Sequence, residues 1–263
     1  MPELPEVEGF RKYIAGTSLD QRIHKVHIND AKVVKDPENE FLSRMQGNTI
    51  VGTDRVGKYL FLEMKSHGPL MMHFGMTGSP HYYRDAEDAP RHARVVFEFD
   101  SGYSLAYNCP RKFGRLILTD DVTSYCAANK IGTDAAKIGW DEFQAKLSNR
   151  KSPIKSVLMN QSLLAGVGNW IADEILWQAK IHPEEKAIEL SEQDMKEIYG
   201  QMEYVLQTAL KHDAHFPDFP KEFMIHSRWT DSGRPDAPRI ELEKLTIGGR
   251  STYFDPTRQV KRD

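Results

Sequence analysis

The first residues of the chain place a candidate nucleophile beside two carboxylates. Residue 2 is proline, and we expect the initiator methionine to be removed before so small a residue, which would leave a secondary amine at the terminus. An α-amine titrates near pH ~8, so an appreciable fraction of Pro2 would be neutral and nucleophilic. Its addition to an aldehyde-level carbon would give a permanently cationic iminium that favours elimination. Glu3 and Glu6 could transfer protons beside it, although Pro-Glu near a helix start is also ordinary capping chemistry.

Composition restricts the classes of protein to which the chain can belong. Its 263 residues, 40% hydrophobic, suit a globular protein with one large or two modest domains. The two cysteines, Cys109 and Cys126, cannot build a disulfide framework or a four-thiolate zinc site. No apolar run approaches the ~18 residues of a membrane span, and the acidic start is unlike a signal peptide. We therefore expect an intracellular, cytoplasmic protein with no membrane partner.

The formal net charge of -3 taken alone argues against a nucleic-acid partner, but this charge is unevenly distributed. Residues 173–203 contain nine acids and three lysines, a balance of -6, so the rest of the chain carries +3. Residues 106–119 and 146–172 contain basic residues and no acid. Each basic stretch alone could be a solvated face, but together they indicate one basic side of the molecule.

The elements that must position these residues are predicted by hydrophobic periodicity. Residues 5–16 have the apolar stripe of an amphipathic helix. From about 21 to 119, short β-branched and aromatic runs alternate with turn residues, which indicates a β-sandwich or barrel. Helices are predicted at 141–149, 153–161, 169–180 and 191–212, followed by two short strand-like runs. The fold class is therefore α+β, with a β-rich domain, a sandwich or a barrel, at 1–132, a helical domain at 133–222 and a hairpin at 223–263.

Six motifs occur in an order and spacing typical of one enzyme family. They are MPELPEVE at the start, VGKYL, HFGMTG, NCPRKFG, LLAGVGNWIADEILWQAKIHP, and GGRSTYF near the end. Over essentially its whole length the chain resembles the formamidopyrimidine-DNA glycosylase and endonuclease VIII family, and MPELPEVE is similar to the formamidopyrimidine branch. The resemblance implies a β-sandwich in the N-terminal domain, a helix-two-turn-helix within the helical domain and a β-hairpin finger at the C-terminal end.

The resemblance also implies a reaction in which Pro2 is the nucleophile. Because a buried base must leave the stack before it can react, Pro2 would attack the anomeric carbon of an extruded nucleotide. Glu3 would help to protonate and open the sugar, and Glu6 would be a supporting carboxylate. Lys58 would contact phosphate near the lesion and assist ring opening, whereas by residue type alone it could be a solvated lysine at a strand edge. Successive β- and δ-eliminations would then cut the strand.

Further residues are implied to bind DNA. Met76, Arg111 and Phe113 would fill the hole left by the extruded nucleotide, and Lys112 lies in the same basic motif. Lys155 and Asn169 would form a phosphate clamp at a helix N-terminus, and Arg250 would grip phosphate from the hairpin tip. Taken singly, the Met76 and Arg111 segments are also typical of simple turns.

The finger lacks the ligands for the zinc ion that family members commonly bind there. On the frame C-x2-C-x15-16-C-x2-C, the four ligand positions hold Asp236, Arg239, Asp255 and Arg258. None is a thiolate and two are cations, so we expect no metal and no other cofactor. One hypothesis is that crossed pairs, Asp236 with Arg258 and Arg239 with Asp255, hold the hairpin, although exposed pairs stabilise by only ~0.2–1 kcal/mol each. The alternative is four unrelated surface residues.

The sequence therefore predicts a base-excision-repair DNA glycosylase with abasic-site lyase activity. We expect a monomer, associated with the nucleoid, that removes formamidopyrimidines and oxidised purines from damaged double-stranded DNA. Two alternatives stay open. Residues 213–225 are short where the formamidopyrimidine branch has a longer loop over an extruded oxidised purine, which would suit an oxidised-pyrimidine glycosylase. A DNA-damage-binding protein without chemistry would require the four catalytic candidates to be coincidental.

Overall fold

The chain divides into two compact units. The computed structural model describes residues 1–229 and 234–262. The first unit comprises residues 1–2 and 6–130, and the second comprises residues 3–5 and the described residues from 131 onward. Among the described residues, no helix combines the length and apolar character needed to cross a membrane.

Two four-stranded antiparallel sheets form most of the first unit, with strand orders β1-β6-β7-β5 and β2-β3-β4-β8. Their inward side chains, such as Leu62, Met72, Phe97 and Leu105, belong to one buried cluster. The predicted N-terminal β-sandwich is therefore confirmed. The strands are β1 Ile23–Ile28, β2 Ile50–Val56, β3 Tyr59–Met64, β4 Leu70–His73, β5 Ser79–Tyr83, β6 Ala93–Phe99, β7 Ser104–Asn108 and β8 Arg115–Leu118.

Three helices accompany the sheets: α1 Leu4–Ser18, α2 Glu38–Met45 and α3 Val122–Ala128. Helix α1 was predicted, and it buries Val7 and Ile14 in the core of the first unit. Helix α2, which interrupts the run of strands, was not predicted. The apolar pattern of this helix is short, because only Phe41 and Met45, four residues apart, are fully buried.

The second unit is helical and ends in a hairpin. Its helices are α4 Trp140–Leu147, α5 Ile154–Leu158, α6 Asn169–Ala179, α7 Glu192–Lys211 and α8 Ile225–Arg228, and its strands are β9 Thr133–Asp134, β10 Leu164–Ala165, β11 Glu243–Ile247 and β12 Arg250–Phe254. Four of these helices and the hairpin match the predicted positions, whereas α8 was not predicted. Helix α7 starts at a capping box formed by Ser191 and Asp194.

Some of the acidic residues at 173–203 contact other parts of the protein. Asp173 and Glu174 on α6 are buried. Glu184 pairs with Lys261 at 3.1 Å and Asp194 with Arg262 at 2.6 Å, so the C-terminal residues are fastened to the helical unit. The negative charge of this stretch is thus partly neutralised by the chain itself.

The predicted crossed ion pairs of the finger are wrong. Asp236 pairs with Lys221 at 2.6 Å and with Arg234 at 3.0 Å. Arg258 donates from Nε to the Trp177 carbonyl and lies 4.2 Å from the centre of that indole ring. Arg239 donates to the His226 carbonyl at 3.4 Å, and the Asp255 carboxylate accepts from the backbone N–H of Thr257 at 2.9 Å. Each of the four side chains has found a partner in its own segment or on the helices.

Candidate functional site

Glu3 is held at the N-terminus of α6. Its side chain is buried, with 2% of the residue exposed, and it accepts hydrogen bonds from the backbone of Trp170 at 3.0 Å and Ile171 at 3.3 Å. These are N–H groups that the first turn of a helix leaves without partners, and the helix dipole favours a negative charge there. The geometry therefore fixes a carboxylate one residue from Pro2, which is itself half-buried.

Two glycines allow this close approach. A Cβ on Gly168 would lie 2.1 Å from the Glu3 Cδ, and one on Gly166, whose φ is +111°, would lie 2.5 Å from the Leu4 side chain. The backbone N–H of Leu4 also donates to the Gly166 carbonyl at 3.2 Å. The glycine-containing turn at 166–168, directly before Asn169, therefore contacts the N-terminal segment of the chain.

Lys155 and Asn169 are also placed differently from expectation. The Lys155 side chain is fully buried, pairs with Asp173 at 2.6 Å, and donates to Thr252 Oγ1 at 2.7 Å and to the Ser251 carbonyl at 3.2 Å. The ammonium group thus makes two hydrogen bonds and one ion pair, all with groups of the protein. Asn169 donates from Nδ2 to the same Ser251 carbonyl at 2.9 Å. Both residues hold the hairpin in this structure, and a direct phosphate contact by either remains a prediction.

Arg250 lies at the tip of the hairpin. It follows Gly248 and Gly249, whose φ values are +55° and +74°, and its register partner across the turn is Ile247. Its side chain is exposed. Among the three phosphate-binding residues predicted in this unit, Arg250 is the one that solvent reaches most freely.

In the first unit, Lys58 lies in the tight turn between β2 and β3, after Gly57 with a φ of +58°. Arg55 stabilises this turn by donating to the Gly57 carbonyl at 3.0 Å, and it also pairs with Glu8 on α1 at 3.0 Å. Burial alone would raise the pKa of Glu8, but hydrogen bonds from Arg11 and Arg55 outweigh it and lower that pKa. This ion-pair network fastens the Lys58 turn to α1, on whose first turn Glu6 lies half-buried.

His73 is a polar residue near Lys58 that the sequence analysis did not single out, although the HFGMTG motif contains it. Its Nδ1 accepts from the backbone N–H of Gly75 at 3.2 Å, so the neutral ring carries its proton on Nε2. Burial lowers the pKa of His73 to about 4, and the positive charges of Arg115 and Lys58 contribute to the same shift. The neutral ring is thus a hydrogen-bond donor beside a lysine.

Strand pairing brings the expected void-filling residues onto adjacent turns. His73 on β4 pairs with Arg115 on β8, so the turn carrying Met76 lies beside the turn carrying Arg111 and Phe113. The two turns are in contact, since a Cβ on Gly75 would lie 2.6 Å from the backbone of Phe113.

At this tip the Phe113 ring is exposed. Residue Phe113 is 60% exposed, and the Arg111 guanidinium lies 5.1 Å from the centre of its ring. Lys112 instead pairs with Asp30 at 2.6 Å, which reduces its availability to an external anion. An exposed aromatic ring beside an arginine suits insertion between bases.

The described part of the chain places no metal site beside these residues. Within residues 1–229 and 234–262, no cluster of three or more His, Cys, Asp or Glu side chains is arranged to hold an ion. Since the four positions of the zinc frame have also found other partners, the finger of this chain does not fit a zinc ion.

Comparison with known proteins relates this geometry to a family. The model of the formamidopyrimidine-DNA glycosylase N-terminal domain matches residues 1–116, and that of the formamidopyrimidine-DNA glycosylase H2TH domain, the helix-two-turn-helix, matches residues 131–219. The chain belongs to the formamidopyrimidine-DNA glycosylase family. The glycosylase of Ligilactobacillus salivarius is 31% identical over 99% of both chains, and that of Arabidopsis thaliana is 32% identical over 98% of this chain and 71% of its own.

Solved structures of the family share the whole fold. The Lactococcus lactis glycosylase, in complex with DNA containing the formamidopyrimidine Fapy-dG, superposes with a TM-score of 0.86 at 29% identity, covering 98% of this chain and 100% of that one. A complex of the wild-type L. lactis glycosylase with DNA containing an oxidised pyrimidine has a TM-score of 0.85 at 28% identity, covering 99% of this chain and 100% of that one.

The contact between Gly168 and Glu3 gives a first prediction. Replacing Gly168→Ala should lower the free energy of unfolding by about 1–3 kcal/mol, because the added Cβ has no room beside the Glu3 carboxyl group. Gly200→Ala is the matched control, since Gly200 is exposed on α7 and its Cβ would meet nothing within 4 Å. That substitution should raise the free energy of unfolding by about 0.5–1 kcal/mol. Denaturant unfolding measures both, and equal effects would contradict the described contact.

A second prediction concerns pH. Since the pKa of His73 is about 4 in the folded protein and 6.5 ordinarily, the unfolded chain binds the proton between these values and the folded chain does not. The free energy of unfolding should therefore fall by on the order of 2 kcal/mol as the pH is lowered from above 6.5 toward 4. His73→Asn keeps an acceptor for Gly75 but does not titrate, so its free energy of unfolding should fall less over this range. Parallel acid dependences of the two proteins would exclude this role for His73.

Proposed function

We propose that this protein is a base-excision-repair DNA glycosylase with abasic-site lyase activity, which removes formamidopyrimidines and other oxidised purines from duplex DNA. The observation that carries the proposal is the carboxylate of Glu3, the residue that follows Pro2, which is buried and hydrogen-bonded at the start of α6. Membership of the formamidopyrimidine-DNA glycosylase family supports the same chemistry.

In the proposed reaction, removal of Met1 frees the nitrogen of Pro2, which attacks the anomeric carbon of an extruded nucleotide as the base leaves. Glu3 shuttles the proton that opens the sugar ring, since its carboxylate is already oriented and shielded from bulk water. The resulting iminium withdraws electrons from the sugar, and β- and δ-elimination then release the two phosphates. Glu6 is the supporting carboxylate on the same helix.

DNA binding is assigned to groups of each unit, of which Phe113, Arg111 and Arg250 are exposed. Phe113, Arg111 and Met76 enter the duplex where the nucleotide has left, with Arg111 facing the unpaired base. Lys58, with His73 beside it, and Arg250 contact phosphates near the lesion. The remaining predicted DNA ligands, Lys112, Lys155 and Asn169, would reach DNA only by leaving the protein partners described above. Because its substrate is chromosomal DNA, association with the nucleoid belongs to this proposal.

The segment after α7 bears on which base is removed. Phe219, Phe223 and Met224 are buried in the core of the helical unit, and the Glu174 carboxylate accepts from the backbone of Met224 at 3.1 Å and of Ile225 at 2.9 Å. A segment fixed in this way is poorly suited to fold over an extruded purine. Ring-opened formamidopyrimidines are therefore the favoured substrates over 8-oxoguanine. The same observation favours oxidised pyrimidines as a second candidate class, and the oxidised-pyrimidine complex of the L. lactis protein is consistent with it.

Covalent trapping tests the nucleophile. With borohydride and lesion-containing duplex, the protein should form a reduced adduct whose site maps to Pro2. A matched form with an uncleaved N-terminal extension keeps every side chain but converts the Pro2 nitrogen to an amide, and it should form none. Glu3→Gln should slow base release by about 100-fold or more, the usual contribution of a proton-transfer group. Trapping by the extended form at the native level would refute the assignment.

Lesion preference is tested by single-turnover cleavage of duplexes that contain formamidopyrimidine, 8-oxoguanine or thymine glycol. We expect formamidopyrimidine to be removed about ten-fold or more faster than 8-oxoguanine, because the segment at 213–225 is short and its Phe219 and Phe223 are held in the core of the helical unit. Fastest cleavage of thymine glycol would instead establish the oxidised-pyrimidine alternative. Binding without cleavage of any duplex, with Met1 shown by mass spectrometry to be absent, would leave a damage-binding protein.

A further inference from the structure

A buried ionic centre lies beneath the C-terminal hairpin. Lys155 of α5, Asp173 of α6 and Arg228 of α8 supply it, and their side chains are 0%, 0% and 2% exposed. Lys155 pairs with one oxygen of Asp173 at 2.6 Å, and the Arg228 guanidinium donates to the other. Three helices that lie far apart in the sequence thus converge on one carboxylate.

Three consecutive residues of strand β12 are bound by this centre. Lys155 donates to the Ser251 carbonyl at 3.2 Å and to Thr252 Oγ1 at 2.7 Å. The backbone N–H of Tyr253 donates to Asp173 at 3.2 Å, and the Arg228 guanidinium lies 4.7 Å from the centre of the Tyr253 ring. Thr252 is itself fully buried. The hydrogen bonds therefore fix both the position and the register of the strand.

A buried group of three charged side chains beneath a hairpin requires a physical explanation. An isolated two-stranded hairpin is marginally stable in water, and the described residues of the finger offer no metal site to compensate. Buried ions are unfavourable unless each finds its partners, so ionic groups are poor general-purpose stabilisers. They are, however, directional. A buried carboxylate with two cations can specify where a strand docks, which apolar packing by Ile247 and Phe254 alone would leave less defined.

We propose that the centre formed by Lys155, Asp173 and Arg228 is a positioning site that replaces zinc as the anchor of the finger. It holds β12, and thereby Arg250 at the start of that strand, in the geometry for DNA binding. The Lys155 ammonium then acts on DNA through Arg250 rather than by touching a phosphate. The anchoring half of the proposal stands on the structure alone, whereas the DNA half rests on the proposed function.

Two substitutions at Thr252 separate this role from simple packing. Thr252→Val keeps the shape and β-branching but removes the hydroxyl that Lys155 contacts, whereas Thr252→Ser keeps the hydroxyl and loses a methyl group. We expect Thr252→Val to speed hydrogen exchange in residues 243–254 by about ten-fold, the effect of one hydrogen bond, and Thr252→Ser to stay closer to the native rate. The reverse order would show that packing holds the hairpin and would overturn the proposal.

Asp173→Asn tests the centre itself. It should raise hairpin exchange further than Thr252→Val does, whereas Glu192→Gln, which removes a surface pair with Lys196 inside α7, should leave the hairpin unchanged. Treatment of the native protein with EDTA should also leave it unchanged. If Asp173→Asn does not fold, the two Thr252 variants decide the question. Hairpin protection that falls on chelation would establish a metal anchor and reject the ionic one.

The link to DNA is measured on the same Thr252→Val protein. Its Kd for a duplex with an abasic-site analogue should rise about ten-fold, and the salt dependence of binding should weaken by about one phosphate contact, as it should for Arg250→Ala. A loosened hairpin with unchanged affinity and salt dependence would disprove the positioning of Arg250. The exchange measurements need neither DNA nor catalysis, so a failure of the glycosylase assignment in the trapping experiment would remain distinguishable.

Discussion

The hydrogen bonds from the backbone of Trp170 and Ile171 to the Glu3 carboxylate join the first residues of the chain to the start of α6. Leu4 reinforces them, because it is fully buried in the core of the helical unit although it lies at the beginning of the sequence. A chain terminus is ordinarily mobile unless it is tied down. Here the first turn of α6, two glycines and one apolar side chain fix the residue that follows the proposed nucleophile.

The same principle, an ionic group satisfied by backbone or by an opposite charge, recurs through the molecule. Glu8 with Arg55 fastens the Lys58 turn to α1, Glu174 fixes the segment before α8, and Asp173 holds β12. This explains why the net charge says so little about DNA binding. Several of the acidic residues that make the net charge negative bind groups of the protein itself, while Phe113, Arg111 and Arg250 remain exposed.

Elements with a long apolar period were predictable, and so were the turns that bear distinctive motifs. Helix α7, with its capping box and regular apolar stripe, was expected within a residue or two, whereas α2, with only two fully buried residues, was not. The partners of individual charged side chains were harder to predict. The spacing of Asp236 and Arg258 favoured an ion pair between them, but Asp236 pairs with Lys221 and Arg258 stacks on Trp177. Lys155 was expected to meet phosphate and is buried instead.

The sequence by itself determined the family, the order of elements, the N-terminal proline with its neighbouring carboxylates, and the absence of zinc ligands in the finger. These properties depend on residue types and on spacings of a few positions. Local backbone geometry relates such spacings directly to one face of a helix or strand. Only the tertiary structure decided which groups satisfy the Glu3 carboxylate, and which cations surround Asp173. A buried charge takes its partner from whatever the fold brings within about 3 Å, and residues more than fifty positions apart meet there.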